Sequence, residues 1–224
     1  MANSEQEKLR DERQKAELAS NLKIGPKVFD GPNDSGVLVR NWIEGEELTP
    51  SSGAEFTELA AQLCNALKTL HQSSSTFTKD WDIMMALEGF RRRLNESERT
   101  ALMENSLVDT LREIHTRLSD GADRVPCHND CFPKNWVRES SETSRILLID
   151  FEYAGNNYAE FDLATLWNEF ELHEASGLDL IVQQYYGKRA SGLEQKRARI
   201  LLNALLVDGV WAHYAACMKS SEIR

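Results

Sequence analysis

The sequence predicts an α+β fold in which helices dominate. Three observations carry this. Long stretches place apolar residues at helical spacing, most clearly Phe56, Leu59, Ala60, Leu63, Leu67 and Leu70. Two pairs of short β-type runs are joined by polar turn residues. Strands and helices do not alternate, so a wound parallel sheet is not expected.

The elements follow in order. Ser4 to about Leu22 reads as a helix, polar at first and then carrying Leu9, Ala16, Leu18, Ala19 and Leu22 at helical spacing. Gly25-Pro26 is its expected stop. Lys27–Phe29 and Gly36–Ile43 read as strands of a hairpin, with Asp30–Ser35 as turn chemistry between them. The polar stretch Glu44–Glu47 follows. A helix runs from Ser51 to Leu70, Ser73–Ser75 forms a loop, and further helices span Trp81–Leu94 and Ser97–Leu118. Ser97, with Glu98 and Thr100 nearby, marks a helix start without a clean capping box. Asn135–Arg138 and Arg145–Ile149 form a second hairpin around Glu139–Ser144. After Gly155 the chain reads as helical to its end in about three pieces, the last being Leu193–Met218.

Composition narrows the function classes. The 224 residues are 41% hydrophobic and 28% charged, enough apolar material for a core. The formal net charge of −10 argues against a nucleic-acid binder that neutralises phosphates and against a polybasic membrane-surface binder. Four cysteines in this length are no disulfide framework. The charged start has no apolar core of a signal peptide, and the run Ile200–Val207 is too short to span a bilayer. A soluble, cytoplasmic protein without stable membrane insertion is the expectation.

Two segments place polar residues where propensity would not. One is His128-Asn129-Asp130-Cys131-Phe132-Pro133-Lys134-Asn135, an H-x-D-x-x-x-x-N string. The other is Leu147-Leu148-Ile149-Asp150-Phe151-Glu152, an aspartate directly after a hydrophobic strand. Asp130 can accept a proton from a hydroxyl nucleophile. Asn135 offers a neutral oxygen and Asp150 a charged one, a hard-oxygen pair suited to Mg²⁺. Asn135 begins one strand of the hairpin and Asp150 ends the other, so an antiparallel pairing makes them neighbours. Any one of these residues alone reads equally as a turn or cap; the four together at these spacings do not. Cys127, His128 and Cys131 suggest zinc, but no second Cys/His pair stands at ligand spacing. His71, His115, His173 and His213 fall on helical stretches and read as surface or satisfied residues, and Arg91–Arg93 as a solvated helix face.

These motifs resemble the catalytic loop and metal aspartate of protein-kinase-like enzymes. The strings CHNDCFPKNW and LLIDFEYAGNNYAEFDLATLWNEF resemble the choline/ethanolamine kinase family, within the wider aminoglycoside-phosphotransferase-like group, and the resemblance spans residues 12 to 215. It implies a protein-kinase-like fold. Residues 1–45 would be a remnant of the ATP-binding lobe and hinge, and residues 46–224 a helical lobe with the catalytic loop and substrate pocket. It implies transfer of the ATP γ-phosphate to the hydroxyl of choline or ethanolamine, in phospholipid head-group synthesis, with ATP and Mg²⁺ as cofactors. Asp130 would be the catalytic base, His128 the catalytic-loop residue that orients it, and Asn135 and Asp150 the Mg²⁺ ligands. Asn41 and Ile43 would meet adenine, mostly through backbone.

A quaternary ammonium is held by aromatic faces and a nearby carboxylate. At the positions of the family's cation box stand Tyr153, Glu169, Trp211 and Tyr214. Trp211 and Tyr214 are three apart and share a helix face. In the family the Tyr214 position is often Trp, so a shallower box is expected. From spacing alone, a Trp and a Tyr so placed read as core. Asp162 reads as a buried structural acid pairing with the catalytic loop.

The sequence departs from the family in one respect. It holds no Gly-rich cluster, and no lysine in a strand before Leu22, while Glu12 aligns with the helix glutamate that pairs with that lysine. The expectation is a chain that starts within that helix, with weak ATP affinity and a slow rate. Alternatives to full activity are an inactive fragment or pseudokinase serving as a binding module, pairing with an intact homologue as a homo- or heterodimer, and a related kinase for aminoglycosides, thiamine or sugars.

Overall fold

The computed structural model describes residues 2–29, 37–49, 54–102, 104–119, 123–170, 172 and 175–222. The expected turn Asp30–Ser35 and His173 lie outside the described residues. Helix α1 spans Ala2–Asn21. It ends at Lys23, which takes the left-handed conformation at φ 61°, while Ile24 and Gly25 both donate back to the Ala19 carbonyl. Gly25 serves a different purpose from the stop the sequence suggests: a Cβ there would lie 3.0 Å from Ala19 Cβ and 3.2 Å from the Leu148 carbonyl. That close approach lets the Leu148 N–H donate to Ile24 at 2.7 Å, tying the N-terminal segment to the main sheet.

The first hairpin is present as β1 (Val28–Phe29) and β2 (Val39–Arg40), paired antiparallel with Val28 opposite Arg40. The polar stretch after it is itself a strand, β3 (Gly45–Glu47), which pairs with β5 (Trp136–Glu139). A Cβ at Gly45 would strike the Arg138 carbonyl, so only glycine fits there. The second hairpin closes as β5 against β6 (Ile146–Leu148), Trp136 opposite Leu148, completing an antiparallel sheet ordered β3-β5-β6. A separate pair, β4 (Val125–Cys127) with β7 (Gly155–Asn157), brings the start of the His128–Asn135 segment beside the residues after Asp150. The sequence reading has no strand at Gly155–Asn157.

The helices follow the apolar stripes. Helix α2 (Ala54–His71) packs on α7 (Ala175–Tyr186), and α6 (Ala159–Glu169) on α8 (Leu193–Glu222). Helices α3 (Ile83–Arg91) and α5 (Glu104–Ser119) cover another side of α8. The single helix expected over Ser97–Leu118 is broken into α4 (Glu96–Ala101) and α5. Helix α4 starts one residue after Asn95, which forms a full capping box with Glu98, so the helix start lies upstream of Ser97.

One core cluster gathers α2, the β5–β6 hairpin, α6 and α7 around Trp136, Phe56 and Phe170, and includes Ala19 and Ile24. A second gathers α3, α5 and α8 around Leu87, Leu111 and Val207. The Leu193–Met218 span of α8 is long and apolar enough to cross a membrane by length and composition, and half of it is buried inside the fold.

Candidate active site

The H-x-D-x-x-x-x-N segment leaves β4 and turns back into β5 through a short 3-10 turn at Pro133–Asn135. Asp162, in the first turn of α6 and wholly buried, anchors it. Its carboxylate accepts from the His128 N–H at 2.8 Å and the Asn129 N–H at 2.7 Å, and pairs with His71 Nε2 at 3.0 Å. His71 Nδ1 in turn meets the Tyr185 hydroxyl at 2.7 Å. Burial alone would push the Asp162 carboxyl upward; the His71 hydrogen bond and charge, with the His128 backbone N–H, outweigh it and hold it below the usual range. Asp162 is therefore the structural acid the sequence suggested. His71 is buried as well, a satisfied residue from far upstream that only the folded chain brings here.

Asn129 takes the left-handed region at φ 65°, which asparagine tolerates better than most residues. Its Nδ2 donates to the Tyr153 and Gly155 carbonyls, and its Oδ1 accepts from Asn157. The loop is thereby stitched to the segment after Asp150: in β7, Asn157 serves the loop, while Asn156 bonds the Phe77 backbone and Asp80. Asp130 is buried, and its Oδ2 accepts from Asn135 Nδ2 at 2.7 Å. The same Nδ2 donates to the Asp130 carbonyl at 2.8 Å. Burial first, and the charges of Asp150 and Glu152, raise the Asp130 carboxyl to about 6, against the Asn135 hydrogen bond and Lys134. Asp130 is thus ionised at neutral pH and is a stronger base than an exposed aspartate.

His128 is fully buried. Its Nε2 meets the Ile149 carbonyl at 2.9 Å, and its ring packs edge-on against Phe151. Burial lowers its pKa, favouring the neutral ring. It is a positioning residue that fastens the loop to the end of β6. One residue on, Asp150 adopts φ 66° and stands exposed. The Ile149 N–H donates to the Asn135 carbonyl at 2.9 Å, so the hairpin does bring Asn135 and the Asp150 end side by side. Because Nδ2 of Asn135 is engaged by Asp130, the amide presents its oxygen elsewhere. An amide oxygen with a carboxylate is a donor set that fits Mg²⁺.

Asp150 also lines a cavity of about 210 Å³ with Glu12, Ala16, Pro26, Leu38, Arg40 and Phe151. Burial, then Asp150 and Glu152, raise the Glu12 carboxyl, while Lys15 and Arg40 lower it. Asn41 and Ile43 do not line this cavity. The Asn41 N–H is engaged by the Lys27 carbonyl at 2.8 Å, so that backbone donor is already taken. Sequence reasoning missed Leu38 and Arg40, whose alternation in the hairpin is too short to assign a face.

The acidic-aromatic residues gather near Asp130. Trp211 stands edge-on to Phe132 at 5.2 Å and to Tyr214 at 5.1 Å, and Tyr214 edge-on to Phe90 at 5.4 Å. Tyr214 is 38% exposed and Tyr153 47%, which core residues would not be. Burial first, and then Glu152, Asp130 and Tyr214, raise the Tyr153 hydroxyl. Burial, then Asp208 and Asp130, raise Glu169 to about 7. Tyr153, Glu169, Tyr214 and Asp130 therefore share one electrostatic neighbourhood. Phe132, Phe90 and Asp208 belong to it too and were not read from the sequence. Phe132 sits inside the motif, only two residues from Asp130, and that proximity was the available signal.

Among the described residues, His71, Cys127 and Asp162 place ligand atoms within 4.8 Å of one another. The His71–Asp162 contact and the Cys127 thiol donating to the Tyr158 carbonyl account for the group without a metal. Cys127 and Cys131 are wholly buried, and burial pushes both thiols up.

Residues 2–199 match the model of the phosphotransferase enzyme family. Protein LicA of Haemophilus influenzae is 26% identical over 190 residues, covering 80% of this chain and 68% of that protein. A probable ethanolamine kinase of Arabidopsis thaliana is 27% identical over 157 residues, covering 66% of this chain and 41% of that protein. Among solved structures, choline kinase LicA of Streptococcus pneumoniae superposes with a TM-score of 0.77 at 23% identity, over 97% of this chain and 75% of that one. A LicA structure in complex with AMP superposes at 0.75, with 22% identity, over 95% and 71%. These likenesses establish the protein-kinase-like α+β architecture, mostly helical with small antiparallel sheets. The chain belongs to the phosphotransferase enzyme family and is homologous to the choline/ethanolamine kinases.

Proposed function

We propose that this chain transfers the γ-phosphate of MgATP to the hydroxyl of a small amino alcohol of the choline and ethanolamine class. One observation carries the reading. Asp130, aimed by Asn135, shares its field with Glu169, Tyr153 and the ring pair Trp211–Tyr214. A base for a hydroxyl thus lies beside a site for a cation. The AMP held by a LicA structure supports an adenine nucleotide as donor.

The mechanism follows from the residues. Glu169 and the aromatic rings hold the acceptor's cationic nitrogen, leaving its hydroxyl toward Asp130. Asp130 Oδ accepts the hydroxyl proton as the oxygen attacks phosphorus. Asn135 restricts the Asp130 carboxylate to one orientation. His128 and Asp162 act only through the loop, fixing its ends to β6 and α6. Asn135 Oδ1 and Asp150 would hold Mg²⁺, which supplies positive charge that neutralises phosphate oxygens. The products are ADP and the phosphorylated amino alcohol.

The test is ADP release from MgATP by the purified chain with choline, ethanolamine, an aminoglycoside, thiamine and a sugar. Acceptor-dependent release with the amino alcohols, lowered about 10²- to 10⁴-fold in Asp130→Asn, is the expected result. Turnover confined to another acceptor, or turnover unchanged in Asp130→Asn, overturns it. Amine binding without turnover would replace it with the binding-module reading.

A further inference from the structure

Glu12 and Asp150 line the same cavity of about 210 Å³. Its acidic wall repels a ligand that carries phosphates unless positive charge answers it. Arg40 is the one basic residue among those that line the cavity. It comes from β2, not from α1 or the catalytic loop. Leu38 and Arg40 alternate with Val39, so both turn to one face of the hairpin, and both line the cavity, while Val39 is 41% exposed. The Asn41 N–H bond to the Lys27 carbonyl prolongs the β1–β2 pairing past Arg40 and holds its backbone in that orientation. Among the described residues, the exposed Arg40 side chain has no hydrogen bond or ion pair. Its charge reaches Glu12, whose carboxyl it lowers. Lys15 acts on Glu12 too, but it is buried and closed onto Asp11 at 2.7 Å. Arg40 is therefore the cation this cavity has to offer.

We propose that Arg40 binds the phosphate chain of the nucleotide donor in the cavity beside Asp150, and so sets the affinity of this chain for MgATP. This rests on the phosphate-transfer reading above and deepens it on the donor side. A guanidinium presents several N–H donors in a planar fork that matches phosphate oxygens. Charge-assisted bonds of this kind are stronger than neutral ones. Arg40 has no ion pair to break before it makes them. Ala16, Pro26, Leu38, Ile149 and Phe151 make up the apolar remainder of the lining. They keep water away from the contact and so strengthen it. Asp150 and Asn135 are the metal side of the site; Arg40 meets the phosphates directly from β2.

The experiment is titration calorimetry of MgATP and of adenosine on the full chain, without any acceptor. Arg40→Ala should weaken MgATP about 10- to 100-fold, the value of one or two hydrogen bonds to a charged group. Adenosine, which has no phosphate, should bind within about twofold of the wild type, and the urea midpoint should not move, because the side chain is exposed. Arg40→Lys keeps the charge without the fork and should restore most of the MgATP affinity. Where the chain turns over, Arg40→Ala should raise KM for MgATP and leave KM for the amino alcohol unchanged. An unchanged MgATP Kd in Arg40→Ala overturns the inference while the transfer reading stands. So does an equal loss for MgATP and adenosine, which marks a structural role, or a lysine variant as weak as the alanine one. MgATP binding that depends on Arg40, in a chain that transfers no phosphate to any acceptor, supports the inference with the transfer reading lost. No nucleotide binding at all overturns both.

Discussion

Asp162 and Glu169 lie about two turns apart on α6, yet they meet opposite surroundings. Asp162 is wholly buried, and three donors compensate it. Glu169 is half-buried and meets burial and like charge. The first carboxylate is held below the usual range and the second rises to about 7. Burial depth alone would rank them the other way round. Partners decide, and the contrast separates two jobs on one helix: Asp162 completes the folded loop, and Glu169 is the acid that the proposed function assigns to a cation.

The strongest way to break this comparison is to remove the compensated acid. Asp162→Ala leaves two buried backbone N–H groups and His71 without their acceptor. It should cost about 3–5 kcal/mol in urea unfolding and take catalytic activity with it. A loss below about 1 kcal/mol would show that the network is not what holds the loop. The uncompensated acid should respond in the other sense. Glu169→Gln should leave unfolding stability little changed at low pH and raise it above about pH 7, where burial and like charge disfavour the ionised carboxyl. It should lower kcat/KM for a cationic acceptor about tenfold.

The pH dependence sharpens the same point. Glu169 has its folded value raised, so its contribution to stability is full below about 4.5 and is lost as pH rises through about 7. Acceptor binding runs the opposite way, because the ionised form attracts the cation. The kcat/KM profile should therefore rise through a limb near 7 that Glu169→Gln abolishes. The smallest effect belongs to a site remote from both acids. Asn95→Ala removes the capping box of α4 and should cost about 1 kcal/mol with no change in kcat/KM.

The parts legible in the sequence are those whose signal is local. The stripe Phe56–Leu70 specifies α2 because one buried face repeats every turn. The second hairpin is legible because apolar β5 and β6 flank a polar loop, and its register sets Asn135 beside the Asp150 end. What was not legible depends on distant partners. Gly45–Glu47 is wholly exposed and charged, and is a strand only because β5 offers it backbone groups. Gly155–Asn157 heads the stretch that the sequence reads as helical, yet it is a strand, and its Asn156 and Asn157 side chains are taken up by Phe77 and Asn129. His71 carries no sign in its own helix that its ring will meet an aspartate far along the chain. Asp208 carries no sign in its own helix that Asn168 will meet it, and only the packing of α6 on α8 brings the two together.

The buried thiols flanking the catalytic loop have a practical consequence. Cys127 and Cys131 stand on either side of His128–Asp130, and neither has a path to solvent while the loop is in place. Alkylating reagents attack the thiolate, and burial suppresses that form at both positions. Modification must therefore wait for the β4–β7 segment to open, so the speed of iodoacetamide labelling at these two native cysteines counts those openings. The protein thus carries intrinsic reporters on either side of His128–Asp130, and under the proposed function a nucleotide or amine that seats there should slow their alkylation in proportion to its occupancy.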